Sequence, residues 1–444
     1  MRNVIKVVAI NSQSHCLFVL PNQSKLIDKT TTIHFGFQKM KVACKQLNTL
    51  KENEIGLSKT VIDKLRLPLE AEYELAIEKN RIIIGPFIGL LIANYQSELR
   101  EKVKYLKFII RQYPLVRGVI AAFSLEGMDE KNAKINGPIY NPTSRRWEKR
   151  TFPFPTVIIK RMLLSTKRQN DLKNLYGSRF FNSAYINKWK MYQLLSLNKD
   201  LIPHLPKTYL YKKPEDILHY LKNFRTIYVK PLSGLKGMGV EKFIAKPNIF
   251  CVKFRSDKEN KTIDFFSENE LLNYVRAKFK SEKYVIQQEI DLEIEKNHLI
   301  DYRIVLIKNE NGQWEDVGMV GRRGVEGSVV SNRSSGGKVE RGETLLLSSF
   351  NLTNAEMLSY RQKMSEIAIK AAKELDKYES IYKYGIDIGI DRHHHIWLIE
   401  INNHAPNDHI FSHVGDYDTI SKIKNSSMLY AKYMAGFPGN RDSQ

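Results

Sequence analysis

The feature of this sequence that most constrains its fold is a pair of apolar runs that enclose acidic and amide residues, in the segment YGIDIGIDRHHHIWLIEINN. Both runs have the apolar, β-branched composition of buried strands. If they pair antiparallel around a turn from Arg392 to His395, Asp387 lies opposite Glu400, with Cβ atoms about 5 Å apart. Asn402 follows two residues later and points to the same face. The sequence therefore predicts three oxygen ligands on one face of a hairpin.

These three side chains are the candidate metal site. Two carboxylates and an amide oxygen suit Mg²⁺, which completes its coordination shell with water and substrate phosphates. Without a cation, Asp387 and Glu400 would repel each other between apolar residues, at a high cost if they are buried. The alternative is that the hairpin turns these residues to solvent at a sheet edge. Histidines 393–395 fall in the predicted turn and are expected to be exposed rather than to bind metal.

A second candidate site is a glycine-rich loop after a strand, in IYVKPLSGLKGMGV. The strand ends in Lys230, and Gly234, Gly237 and Gly239 would let backbone N–H groups approach a phosphate whose charge the lysine neutralises. The patterns GxxxxGK[ST] and GxGxxG are absent, so neither a P-loop nor a Rossmann dinucleotide site is indicated. A simple hairpin turn is the alternative interpretation of this loop.

A third stretch, GMVGRRGVEGSVVSNRSSGG, combines basic and amide side chains with several glycines. Guanidinium groups of Arg322 and Arg323 suit phosphate or carboxylate recognition, and Asn332 lies close behind them in sequence. The stretch is predicted either to contact a triphosphate or an acidic substrate, or to be an exposed basic loop.

Several elements can be predicted around these motifs. The runs ELAIE and RIIIG, on either side of Lys79 and Asn80, indicate a β-hairpin. Ser97 is predicted to cap one helix whose apolar residues extend to Tyr113. Thr353 and Glu356 fit a capping box at the start of a long helix with a core-facing apolar stripe.

Composition limits the other classes of protein. A chain of 444 residues exceeds the roughly 250 to 300 residues at which single cores stop growing, so several domains are expected. The formal charge of +22 attracts polyanions, but the basic residues are dispersed, and no dedicated nucleic-acid binding is expected. The apolar run from Ile82 to Ala93 is shorter than the roughly 20 residues of a membrane-spanning helix. Three separated cysteines without CxxC indicate a reducing compartment, and we expect a cytoplasmic protein without a membrane span.

Taken in order, the segments NKWK, YVKPLSGLKGMGV, VIQQEID, DYRIVL, SNRSSGG and IWLIEIN resemble the ATP-grasp superfamily. The most similar group is the YheC/YheD-type endospore coat-associated ATP-grasp family. The likeness implies a multidomain α+β and α/β protein, whose C-terminal ATP-grasp domain, residues 181–440, clamps ATP between two α+β subdomains. A β-rich domain over residues 1–95 and a small α/β domain over residues 96–180 are expected to precede it.

The resemblance also implies how the nucleotide is held. Lys188 and Lys230 would contact the α- and β-phosphates, while the loop that carries Ser233, Gly234, Gly237 and Gly239 closes over them. The backbone of a hinge strand would bond adenine, and the aspartate of the DYR triplet further along the chain would take the ribose hydroxyls. These nucleotide contacts are assigned to Gln287, Gln288, Glu289 and Ile290 for adenine and to Asp301 for ribose.

For the reaction centre, the resemblance implies Mg²⁺ on Asp387, Glu400 and Asn402, with Arg303, Arg322 and Asn332 on the side of the transferred phosphate. The activity would be ATP-dependent ligation, in which a substrate carboxylate attacks the γ-phosphate and an amine captures the acylphosphate. The implied partners are ATP, Mg²⁺, an unidentified carboxylate substrate and, from the family name, spore-coat components, which would add the spore coat to the expected locations.

Three positions depart from the family pattern. Gln288 stands where related ligases often carry Glu, and Asn407 replaces a common glycine after Pro406. Ser335 stands where ligases that attach amino acids often have Arg before two glycines. Two alternatives to a ligase stay open: a nucleotide-binding structural protein of the spore coat without turnover, and a polyanion-binding module that uses the charge of +22.

Overall fold

The computed structural model describes residues 4–24, 27–182, 185–234, 238–256, 259–295, 298–328, 336–403 and 407–439. The predicted site residues Gly237 and Asn332, and the departing position Ser335, lie outside these ranges. Within the described ranges, four β-sheets follow one another along the chain.

The first sheet contains seven strands. Its helices are α1 (Pro21–Ser24) and α2 (Lys59–Leu65), and the buried side chains of α2 pack in the core of the sheet. Its strands are β1 (Lys6–Ile10), β2 (Cys16–Val19), β3 (Thr30–Phe35), β4 (Gln38–Gln46), β5 (Glu54–Ser58), β6 (Glu74–Glu78) and β7 (Arg81–Gly85). They are arranged in the order β1-β5-β2-β4-β3-β7-β6. The predicted hairpin is confirmed, because β6 and β7 pair antiparallel across Lys79 and Asn80.

The second sheet has a parallel centre with antiparallel strands at one side. Its strands are β8 (Phe87–Ala93), β9 (Val119–Ser124), β10 (Met128–Asp129), β11 (Lys134–Asn141), β12 (Arg146–Pro153), β13 (Val157–Lys160) and β14 (Phe180–Phe181). The order is β10-β11-β9-β8-β13-β14, with β12 against β11. Because β8 pairs in this sheet, the change of sheet comes earlier than the predicted boundary at residue 95. The division into three domains stays a prediction.

The helical part of the second sheet differs from the expected single helix. It contains α3 (Gln96–Lys102), a 3₁₀ turn (Val103–Leu106), α4 (Lys107–Ile110), α5 (Tyr113–Val116) and α6 (Thr166–Tyr176). The predicted Ser97 cap is wrong, since Tyr95 is the N-cap residue and makes no side-chain cap bond. Pro114 lies in the first turn of α5, where proline is tolerated, whereas it would break a continuous helix.

The first two sheets share a hydrophobic core. Phe35 of β3 stacks on Phe87 of β8 with ring centroids 4.7 Å apart, and both side chains are fully buried. The same cluster extends from Ile5 through to Phe180. The first two sheets are therefore packed as one body around these aromatic rings.

The third sheet is antiparallel and six-stranded. Its strands are β15 (Thr208–Leu210), β16 (Thr226–Pro231), β17 (Glu241–Lys246), β18 (Ile249–Ser256), β19 (Glu259–Phe265) and β20 (Tyr284–Gln288), in the order β15-β20-β16-β17-β18-β19. The helices of this region are α7 (Lys188–Leu195), α8 (Glu215–Phe224) and α9 (Glu268–Lys278).

The fourth sheet is antiparallel and five-stranded. Its strands are β21 (Ile300–Lys308), β22 (Trp314–Arg323), β23 (Lys338–Arg341), β24 (Lys383–Ile390) and β25 (Ile396–Asn402), in the order β23-β22-β21-β24-β25. The helices are α10 (Gly342–Phe350), α11 (Asn354–Leu375) and α12 (Tyr417–Met434). The predicted capping box is confirmed at the start of α11, where Thr353 and Glu356 bond each other's backbone N–H groups.

The C-terminal helix returns to the second sheet. Met428, Tyr430 and Phe437 are buried in the cluster that covers the face of this sheet opposite the shared core. A Cβ on Gly85 would lie 2.5 Å from the Phe437 ring, so a larger residue there has no space. None of the helices in the described part of the chain has the length and apolarity needed to cross a membrane.

Candidate functional site

A cavity lies between the third and fourth sheets, which places it between the two halves of the C-terminal region. Helix α7, strands β15, β16 and β20, and the edge strand β25 form its walls. Apolar side chains such as Met191, Leu195 and Leu205 line one part. Its polar groups include Lys188, Lys230, Gly234, Gln287, Glu400 and Asn402, all of which the sequence had singled out.

Lys188 connects the glycine-rich loop to the C-terminal hairpin. It is the first residue of α7, which starts there because the Asn187 side chain accepts a hydrogen bond from the Lys190 N–H at 2.9 Å. The Lys188 Nζ lies 3.1 Å from Glu400 Oε1 and donates to the Gly234 carbonyl oxygen at 3.2 Å. The cation therefore sits at the junction of the loop with strand β25.

Lys230 is the second cation of the cavity and is held by a chain of hydrogen bonds. Its Nζ donates to Gln287 Oε1 at 2.5 Å, Gln287 Nε2 donates to Thr208 Oγ1 at 2.9 Å, and Thr208 donates to the Pro206 carbonyl at 2.8 Å. Burial lowers the pKa of Lys230 to about 8, although the charge of Glu400 opposes this shift. These hydrogen bonds orient the Gln287 amide so that its oxygen faces Lys230 and its nitrogen faces Thr208.

The hairpin of β24 and β25 brings Asp387 opposite Glu400, as predicted, but its turn and the register of its first pairs differ from the prediction. The turn is one residue longer than expected, since Asp391 bonds the N–H groups of His393 and His395 at 2.9 Å each. Pairing then runs one residue out of the predicted register until a bulge after Leu398 restores it. Without this bulge, Ile399 would stand opposite Asp387.

The predicted phosphate-side arginines lie directly beside Asp387. Arg303 Nη2 donates to Asp387 Oδ2 at 2.9 Å, and Arg303 Nε bonds Oδ1. Arg322 Nη2 lies 3.1 Å from Asp387 Oδ1 and also forms a two-point pair with Asp301, with both distances 2.7 Å. These four side chains are buried and form one continuous ion-pair network.

The network fixes the charge states of its members. Burial disfavours the ionised form of Asp387, but the guanidinium groups of Arg303 and Arg322 outweigh it and hold the pKa of Asp387 below its ordinary value. Burial likewise opposes the charge of Arg322, while Asp301 and Asp387 raise its pKa. Asp387 is therefore a carboxylate at neutral pH, which is the form that binds a cation.

The donor set fits an oxygen-preferring cation. Asp387 Oδ2 accepts one hydrogen bond, from Arg303, and so keeps acceptor capacity. Glu400 is ion-paired through Oε1, and the Asn402 side chain has no hydrogen-bond partner among the described residues. Within those same ranges, no group of three or more His, Cys, Asp or Glu residues that could hold a metal ion is found. The predicted Mg²⁺ set is oxygen-only, as Mg²⁺ requires.

Some predicted nucleotide contacts lie away from the cavity wall. Asp301, assigned to ribose, has both carboxylate oxygens on Arg322. The N–H groups of Gln288 and Glu289 bond the Lys207 and Thr226 carbonyls, and the Glu289 side chain pairs with Lys242 at 2.5 Å. Their assigned roles, and those of Ile290, Ser233 and Gly239, stay predictions.

The sequence analysis missed the apolar part of the site. Met191 and Leu195 lie one helical turn apart on α7, a spacing that indicates a buried face without showing what the face covers. Thr208 and Leu205 come from a segment with no motif. Only the folded arrangement brings them beside Lys230.

Comparisons with known proteins agree with this architecture. The family model described as YheC/D like ATP-grasp matches residues 177–434. Endospore coat-associated protein YheD of Bacillus subtilis (strain 168) is 25% identical over 445 residues, which cover 97% of this chain and 96% of that protein. Endospore coat-associated protein YheC of the same strain is 22% identical over 323 residues, covering 70% of this chain and 84% of that protein.

Among solved structures, D-alanyl-alanine synthetase A from Vibrio cholerae is similar with a TM-score of 0.41 and 12% identity, covering 77% of this chain and 98% of that one. The sheets, the cavity between them and the family match define an ATP-grasp protein, with the multidomain α+β architecture that the sequence predicted. Because the matched residues make up more than half of the chain, it belongs to the YheC/D-like ATP-grasp family.

Proposed function

We propose that this protein binds MgATP in the cavity between the third and fourth sheets and uses it to activate a carboxylate substrate. The observation that carries the proposal is the convergence of Lys188 and Lys230 with Glu400 and Asn402 on one cavity. The lysines come from α7 and β16, and the oxygen donors come from β25, so these four side chains come together only in the folded protein. Such a pairing of cations with metal ligands suits a polyphosphate that carries Mg²⁺.

The lining of the cavity has the composition of a small-molecule site. Such sites are lined mostly by apolar side chains with a few polar groups, and this cavity combines an apolar part with a charged end. The apolar face of α7 and the side chains of Leu205 and Val285 would cover the base, while the lysines would hold the phosphates. We assign the adenine to the apolar part and the phosphates to the end where Lys188 and Glu400 meet.

The buried network would act at the reacting phosphate. Mg²⁺ held by Asp387, Glu400 and Asn402 would supply charge neutralisation at the phosphate oxygens. Arg303 fixes the orientation of the Asp387 carboxylate, and Arg322 presents a fixed positive charge beside it. Charge that develops on the transferred phosphoryl group would meet these preorganised cations. A substrate carboxylate would then form an acylphosphate, which an amine or similar nucleophile captures.

A second candidate is a nucleotide-binding protein without turnover. Both Bacillus subtilis relatives carry names that refer to the endospore coat, a location consistent with a structural role. Asp387 favours this candidate in one respect, since three hydrogen bonds and ion pairs already engage its carboxylate. A role in the spore coat, with coat components as partners, therefore stands beside the ligase proposal.

Trapping of the acylphosphate distinguishes the two candidates. The full-length protein would be incubated with ATP, Mg²⁺ and hydroxylamine, together with carboxylate-containing fractions of a cell extract. A ligase would release ADP and form a hydroxamate in equal amounts with at least one fraction, because hydroxylamine replaces the amine. Arg322→Met should abolish both products while ATP binding remains. If ATP binds but every fraction leaves ADP release at the background level, the protein without turnover becomes the better account.

A further inference from the structure

The outer face of the first sheet forms an open basic groove, far in sequence from the cavity between the third and fourth sheets. The strand register places its side chains in two rows. Lys41, Thr32 and Arg81 are adjacent across β4, β3 and β7, and Lys39 lies beside His34 in the next row. We call this surface the basic groove; Met40, Glu78, Lys79 and Asn80 complete its lining.

The cations of the basic groove face solvent because the other face of these strands is core. Ile33, Phe35 and Ile82 alternate with the groove residues and are fully buried. Lys39, Lys41 and Arg81 consequently cannot turn inward and are exposed. The direction of the positive charges is thus set by the packing of the sheet.

Few acidic groups balance these charges. Glu78 is the acidic residue in the lining, and it forms an exposed pair with Arg81. Among the residues that the structure describes, Lys39, Lys41 and Lys79 form no ion pair. Burial lowers the pKa of His34, and the charges of Arg81 and Lys39 lower it further against the effect of Glu78. The groove therefore carries an excess of positive charge, because Glu78 balances only one of its four lysine and arginine side chains.

The spacing and composition of the lining favour one kind of anion. Lys39 and Lys41 are two residues apart on β4, so their Cβ atoms project to the same side about 7 Å apart. An extended polypeptide repeats its side chains on one side at this same interval. The lining contains no Phe, Tyr or Trp side chain, on which proteins that hold single-stranded nucleic acid commonly stack bases; His34 is its one aromatic ring.

We propose that the basic groove docks an extended acidic segment of a partner protein, with carboxylates at alternate positions facing Lys39 and Lys41. Thr32 and Asn80 would hydrogen-bond the same segment through their hydroxyl and amide groups. The contact is electrostatic and exposed, so it should weaken as salt is added.

Fluorescence anisotropy with two labelled peptides of identical composition tests the spacing. One peptide carries glutamate at every second position, and the other carries the same glutamates in one block. The full-length protein should bind the alternating peptide more tightly, and the preference should disappear at high salt. Equal binding of both peptides, or tighter binding of a single-stranded oligonucleotide of equal charge, would overturn the proposal.

Matched protein variants test the location. Lys39→Ala/Lys41→Ala should weaken binding of the alternating peptide about tenfold, which is about threefold for each exposed ion pair lost. Lys51→Ala/Lys59→Ala removes the same charge from exposed positions outside the groove and should leave binding within about twofold. Thermal unfolding confirms that both variants are folded. An equal loss in the two variants would show that net charge, rather than the groove, attracts the peptide.

Discussion

Lys230 is a partly buried cation of the cavity wall, and its ammonium group donates a hydrogen bond to Gln287. A buried ammonium group costs free energy, and the hydrogen bond to Gln287 compensates only part of it. The result is a lysine whose pKa burial has lowered to about 8. Phosphate oxygens would favour the charged form and raise this pKa again.

The proposed contact between Lys230 and phosphate predicts that ATP affinity depends on pH. Lys230 is charged below pH 8 in the free protein and loses its proton as the pH rises through 8. The dissociation constant for MgATP should therefore increase about tenfold between pH 7 and pH 9, in proportion to the lost ammonium form. Isothermal titration calorimetry at pH 7 and at pH 9 measures this dissociation constant.

Lys230→Arg is the matched control for this prediction, because arginine keeps its charge throughout the range. Its affinity for MgATP should be nearly constant between pH 7 and pH 9, even if it is lower overall. The same pH dependence in Lys230→Arg and in the unchanged protein would mean that another group titrates.

At the scale of single elements, the C-terminal hairpin shows how local and tertiary signals combine. The period of two placed Asp387 and Glu400 on one face from sequence alone, and the register confirms the pairing. The bulge after Leu398 was not predictable, since it follows from the hydrogen bonds that Asp391 makes within the turn. The turn is one residue longer than predicted, and the bulge adds one residue to β25, so the two shifts in register cancel. Asp387 therefore pairs with Glu400 although the predicted turn was wrong.

Helix α11 gives a prediction at the same scale, since its start was read correctly from two residues. Thr353→Ala removes the hydroxyl that accepts a hydrogen bond from the Glu356 N–H, and it should lower the free energy of unfolding by about 1 kcal/mol. Urea denaturation followed by circular dichroism measures the change. Ser359→Ala, at an exposed position of the same helix, is the control and should change stability by less than about 0.5 kcal/mol. Equal effects of the two substitutions would show that the capping box contributes little.

At the scale of the whole molecule, the parts that the sequence predicted are those with local signals. Strand periodicity and the glycine-rich motif identified Lys230, Gly234, Glu400 and Asn402 on the cavity wall, and the family resemblance identified the ATP-grasp region and added Lys188 and Gln287. The shared core of the first two sheets was not predicted, because its aromatic contacts join distant residues such as Phe35 and Phe87. The Arg322–Asp301 pair was missed for the same reason, since neither residue shows its partner in the sequence.

Binding of MgATP to the cavity between the third and fourth sheets can be tested through its effect on the stability of the whole protein. Thermal unfolding would be measured with and without ATP plus Mg²⁺, for the unchanged protein and for Glu400→Ala/Asn402→Ala. Gln362→Ala/Glu366→Ala, which removes one amide and one carboxylate from the exposed face of α11, is the control. Ligand at about 100 times its Kd should stabilise the folded state by about 2.7 kcal/mol.

We expect ATP to raise the unfolding temperature of the unchanged protein and of the control only when Mg²⁺ is present, and to leave Glu400→Ala/Asn402→Ala unaffected. Stabilisation of all three proteins to the same extent, or of none of them, would contradict the assignment of MgATP to this cavity.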